Sequence, residues 1–288
     1  HNKAFKSDSQ RLAVSLRSSI AKRRSHLNAA LYLWERSVEQ NKINSATRAH
    51  DLLSKARAQK DNTVTATVWK SVLTQSNESM DSFEVIRLVN LLRAEIKSVE
   101  RRLVKAGVPA SVYSVHFNSA YNATSIDNVN ASWSNFKKYI TNELLLCLKF
   151  SEFILEEDEP EFDDQSISEI IKLIDELKDS LSQSDADPDL IYFVSEQIKL
   201  LERGLHDVKI RGSKAIQKCY VDGLGEILEN SELIEENNDK AIVQKLRKAW
   251  GHVQDATEKA AQLNKSADTW SKLIDRGSEV IEHLSQLT

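Results

Sequence analysis

Apolar residues recur at intervals of three, four and seven along most of this chain, and that rhythm predicts helices. Ser7 or Asp8 opens a first helix to about Gln40, with Leu12, Leu16, Ile20, Leu27, Leu31 and Val38 on one side. Arg11, Arg17, Lys22, Arg23 and Arg24 lie opposite them. Asn44-Ser45 opens a second helix to about Lys60. Residues 63–75 alternate β-branched positions as a strand would, but Val68, Trp69, Val72 and Leu73 also form a helix stripe, and helix is the reading preferred here. Asp81 caps a long helix through Phe83, Ile86, Val89, Leu92, Ile96, Val99 and Leu103, ended by Gly107 and Pro109. Residues 110–126 are the least regular stretch. One further helix is predicted from Asp127 to about Leu155.

The dense acidic run from Glu156 to Asp164, broken by Pro160, predicts an exposed connection. Beyond it, Ser166-x-x-Glu169 reads as a capping box. Asp187-Pro188 reads as an N-cap with proline at the first helical position. Further helices are predicted over about 209–229, from Asn238-Asp239 to about Leu263, and from Ser266 on. The domains expected are therefore a basic helical bundle at 1–155, an acidic linker at 156–165 and an acidic helical bundle at 166–288.

Composition sharpens this picture. Seven Gly and three Pro in 288 residues leave few turn formers, which argues against a sheet protein. The fold class is all-α, with long amphipathic helices in one or two antiparallel bundles. Two cysteines 72 positions apart, Cys147 and Cys219, make no disulfide scaffold and no cysteine-rich zinc site, and both read as small core residues in a reducing cytoplasm. No apolar run is long enough to span a membrane. The chain does not start with Met, as a fragment of a longer protein would not.

The net charge of −4 conceals an asymmetry. Residues 1–60 carry 13 Lys+Arg against 4 Asp+Glu, whereas residues 150–240 carry 9 against 25. The two ends attract each other within or between copies, or the basic end meets an acidic partner.

The mechanical signatures of phosphate-binding loops, dinucleotide folds, zinc peptidases and serine hydrolases are absent. The alternating carboxylates of Asp185, Asp187 and Asp189 are explained by helix capping, and the acidic run lacks the turn glycine of a calcium loop. No metal and no cofactor is expected. His206-Asp207 reads as a helix end rather than a catalytic dyad. Arg247-Lys248-Ala249-Trp250-Gly251-His252 pairs a phosphate-holding group with a proton carrier near one helix face. The spacing resembles the R-x4-6-H motif of the HEPN superfamily, helical bundles that include toxin and defence ribonucleases. That resemblance implies metal-independent RNA cleavage by Arg247 and His252, although Lys248 stands where the motif usually has Asn, Asp or His.

Residues 167–228 resemble Leu-rich helical segments of uncharacterised bacterial proteins through Ile170, Ile171 and Ile174, Asp187-Pro188-Asp189-Leu190, Ile198 and Leu201, and Ile210-Arg211-Gly212 followed by Ala215. The resemblance implies a bacterial accessory protein of a defence or toxin setting, and it brings no known active site with it. The leading expectation is a non-enzymatic interaction or regulatory module that binds another protein or a second copy of itself. The alternatives are the ribonuclease, and a nonspecific nucleic-acid binder using Lys22, Arg23 and Arg24.

Overall fold

The computed structural model describes residues 43–74, 80–155 and 164–262. Among them stand eleven helices and one isolated antiparallel bridge, between Val64 and Ser132. The fold is all-α. The predicted helices at 7–40 and from Ser266, the Lys22-Arg23-Arg24 cluster and residues 156–163 of the acidic run lie outside the described residues.

The helices begin and end where local chemistry directs. Helix α1 (Ser45–Arg57) starts at Asn44, whose side chain accepts from the N–H groups of Ala46 and Thr47 while Thr47 returns a bond to the Asn44 N–H. The β-branched stretch forms helix α2 (Thr65–Leu73), with Val68, Trp69, Val72 and Leu73 inward. Helix α3 (Ser82–Lys105) is capped by Asp81, which accepts from the Glu84 N–H at 2.8 Å. Gly107, at φ +75°, ends it. The Val108 N–H reaches Leu103 and the Gly107 N–H reaches Val104, so the last carbonyls are satisfied by a turn that needs a residue without Cβ.

The middle of the chain corrects the sequence reading twice. The irregular stretch is helix α4 (Ala110–Ala123), whose Tyr113, Phe117, Ala120 and Ala123 are buried. The single helix expected from Asp127 is instead a turn, a four-residue helix α5 (Ser134–Lys137) and helix α6 (Asn142–Ile154). Thr141 causes the break, because its side chain caps the Leu144 N–H and restarts the helix.

Helix α7 (Asp164–Ser182) starts before Ser166, which therefore lies inside the first turn rather than at the cap. Helix α8 (Pro188–Arg211) opens as read, with Asp187 accepting from the Asp189 N–H at 2.9 Å. Gly212, at φ +63°, separates it from α9 (Ser213–Glu229), so the helix expected from 209 is interrupted there. A short helix α10 (Ser231–Glu236) precedes α11 (Ala241–Gln262).

The buried apolar side chains form two cores. The first gathers α1 to α6 around Trp69, Phe117 and Trp133; the Trp133 Nε1 donates to the Ala56 carbonyl at 3.0 Å and its ring meets Trp69 edge to face. The second gathers α7 to α11 around Leu190, Leu201, Tyr220 and Trp250. Each fully buried Leu or Val removes apolar surface from water, worth about 1.5–3 kcal/mol. Helix α8 belongs to both, since its Ile210 is buried in the first core. Polar bonds fasten the same end. Arg48 Nε donates to the Ile210 carbonyl at 2.9 Å, Arg87 pairs with Asp207 at 2.6 Å, and Lys209 donates to the Thr74 carbonyl.

Candidate functional site

Arg247 and His252 both lie on α11. Five residues of α-helix turn through about 140°, so their side chains leave the helix in diverging directions. Arg247 Nη2 donates to Asn238 Oδ1 at 2.9 Å, and His252 Nδ1 lies 3.1 Å from the Lys248 carbonyl. Between them, Trp250 is buried in the second core. His206 and Asp207 also take separate partners, both on α3: His206 Nδ1 lies 3.4 Å from Glu84, and Asp207 binds Arg87.

Glu84 and His206 help to wall a cavity of about 450 Å³ where the start of α3 faces α7 and α8. Its lining mixes Met80, Asp81, Glu84, Lys178, Lys199, Glu202, Arg203 and His206. Most of the charges are already engaged. Lys178 pairs with Glu202 at 2.6 Å, Lys199 with Glu196 at 2.7 Å, and Glu84 with Arg87 at 2.7 Å. Burial opposes ionisation of Glu84, but hydrogen bonds from His206 and Arg87 outweigh it and hold its carboxyl down at about 2.

A second, open groove of about 640 Å³ lies between the first half of α8 and the end of α9, closed at one side by α10. Tyr192, Phe193 and Leu233 supply its apolar surface, and Asp189, Glu196, Glu226 and Glu229 line it with carboxylates. Among the described residues, its lining holds no Lys or Arg. Glu226 and Glu229 occupy the last turn of α9, where the helix dipole favours cations and the sequence supplies none. Burial raises the Glu226 carboxyl above its ordinary value, and Glu196, Asp222 and Glu229 push it the same way. Behind the groove, Gln197 links Glu226 to the core: its Nε2 donates to Glu226 at 2.6 Å, and its Oε1 accepts from Trp250 Nε1 at 3.0 Å.

The residue-level reading missed this groove because no motif marks it. The signal was faint but present: acidic residues without a basic one at the end of the helix reaching Glu229, and an aromatic pair, Tyr192-Phe193, of which only one side chain faces a core. Tyr192 is 67% exposed.

Helix α6 carries a separate outward stripe. Leu146, Phe150 and Phe153 follow one another at four and three residues and are all exposed, while Leu144, Cys147 and Leu148 face the first core. Both cysteines are buried free thiols, and burial raises both, Cys219 to about 12. Among the described residues, no group of three or more His, Cys, Asp or Glu is placed to hold a metal ion, and no helix is long and apolar enough to cross a membrane.

The chain matches no known family model, no curated protein and no solved structure.

Proposed function

We propose that this chain is a non-enzymatic helical interaction module, and that its groove between α8 and α9 receives a basic segment of another protein. The observation that supports this is the lining: two aromatic rings and a leucine beside four carboxylates, of which Glu196 is paired with Lys199 while Asp189, Glu226 and Glu229 enter no ion pair among the described residues. An apolar anchor flanked by Lys or Arg complements such a surface in both shape and sign. Carboxylates at the negative end of α9 are locally unfavourable, and a cationic partner relieves that cost.

The test uses the full chain and a fluorescent twenty-residue amphipathic peptide of Lys and Leu, with a Glu-for-Lys peptide as control. Anisotropy is expected to show saturable binding of the basic peptide alone, weakening as salt screens the carboxylates. Glu226→Gln with Glu229→Gln is expected to weaken it about tenfold, equivalent to about 1.4 kcal/mol. Equal binding of the two peptides, or undiminished binding by the variant, overturns the reading.

A further inference from the structure

The cavity between α3 and α8 is lined by a cation, Arg203, and an anion, Asp81, that enter no ion pair among the described residues. Lys178, Lys199, Glu84 and Glu202 are each committed to an ion pair within 2.6–2.7 Å. Arg203, which also lines the cavity, has no hydrogen-bond or ion-pair partner among the described residues. Asp81 uses Oδ1 to cap the Glu84 N–H, and its carboxylate enters no ion pair among the described residues. The two groups have opposite charge and share one cavity, yet they do not pair with each other. Met80 adds an apolar contact to the lining. A volume of about 450 Å³ lies within the usual range for small-molecule pockets, about 300–1,000 Å³.

We propose that this cavity binds a small zwitterion of the free amino-acid class, with its carboxylate on the Arg203 guanidinium and its ammonium on Asp81. A guanidinium offers a planar, two-pronged donor to a carboxylate, and a carboxylate accepts from an ammonium. Asp81 and Arg203 are both exposed, so a ligand bearing only one of these charges displaces water from one of them and gains nothing at the other. The mixed lining therefore suits a molecule that carries both charges. This goes beyond the interaction reading and involves a different cavity, so either stands if the other fails.

Isothermal titration of the full chain with glycine, L-leucine, L-glutamate and L-lysine tests it, alongside N-acetyl-L-leucine, which lacks the ammonium, and isopentylamine, which lacks the carboxylate. At least one amino acid is expected to bind saturably with a stoichiometry of one. Loss of a charge-assisted hydrogen bond predicts about tenfold or greater weakening for each blocked analogue. Asp81→Asn keeps an equally good N-cap while removing the charge, so α3 stays intact. It is expected to weaken amino-acid binding, as is Arg203→Gln, with no loss of thermal stability in either variant. No saturable binding by any of the four amino acids overturns the proposal. So does equal binding of the blocked analogues, or undiminished binding by both variants.

Discussion

The indole of Trp250 occupies the space that a side chain at Gly223 would need. A Cβ at Gly223 would stand 2.1 Å from the ring, which is backed by Gln197 on its Nε1 side. The contact brings α9 and α11 together at the centre of the second core. Gly223→Ala is therefore expected to destabilise the protein by about 1–3 kcal/mol, the cost of forcing atoms into a packed interior, although alanine is the better helix former. Gly225, two residues on, meets nothing within 4 Å. Gly225→Ala is expected to stabilise by up to about 1 kcal/mol through helix propensity. Urea denaturation of the pair checks both signs at once.

Gln197 is fully buried and divides its amide between two partners. Replacing it with leucine preserves bulk but leaves the Trp250 N–H without an acceptor inside the core. The expected loss is about 1–3 kcal/mol, the price of an unmet buried donor. Glu226 also loses the one hydrogen bond that held its carboxyl down, so its titration is expected to move to higher pH. NMR titration of the Glu226 carboxyl in the variant would show this.

Acid is expected to loosen the contact between α3 and α8. Glu84 titrates at about 2 in the folded chain, below its ordinary 4.5. A carboxyl depressed by folding contributes stability that is complete above its unfolded pKa and is lost as pH falls through the folded one. The loss attributable to Glu84 therefore falls between about pH 4.5 and 2. Glu84→Gln is expected to be less stable than the parent at pH 7, and to lose less on acidification across that window. Thermal melts of both chains from pH 7 to about 2 give the comparison, and parallel curves would refute it.

On α6, neighbours of one chemistry are expected to behave oppositely. Leu148 is fully buried, and Leu146 is 71% exposed. Leu148→Ala is expected to cost about 2–5 kcal/mol, as for other buried leucines cut to alanine. Leu146→Ala is expected to stay within about 0.5 kcal/mol of the parent. Denaturant midpoints separate the two.

What the residues disclosed in advance was mostly local. Asn44, Asp81, Gly107 and Asp187 marked helix ends because caps and glycine turns act through a few adjacent atoms. The stripe Val68, Trp69, Val72 and Leu73 outweighed β-branched propensity because it matches the face that meets the first core. Residues 110–123 looked irregular because Tyr113, Phe117, Ala120 and Ala123 make a narrow stripe, two of its positions only alanine, among Ser and Asn. Thr141 was hidden inside a continuous apolar rhythm, which registers period but not a side chain turning back on its own backbone. The cavity was not legible, and the groove only faintly so. Asp81 and Arg203 are more than a hundred positions apart, and Tyr192 and Glu229 line one groove because Gly212 turns the chain back between α8 and α9. For Arg247 and His252 the spacing was legible, but the partners, Asn238 and the Lys248 carbonyl, were not.

Helix α8, at 24 residues, is about 36 Å long. Its early turns wall the carboxylate groove, its later turns wall the mixed-charge cavity, and its final residues are bolted into the other core by Ile210. A rod held this way has few ways to yield. The helix is thus a party wall: one continuous element borders both openings and contributes to both cores.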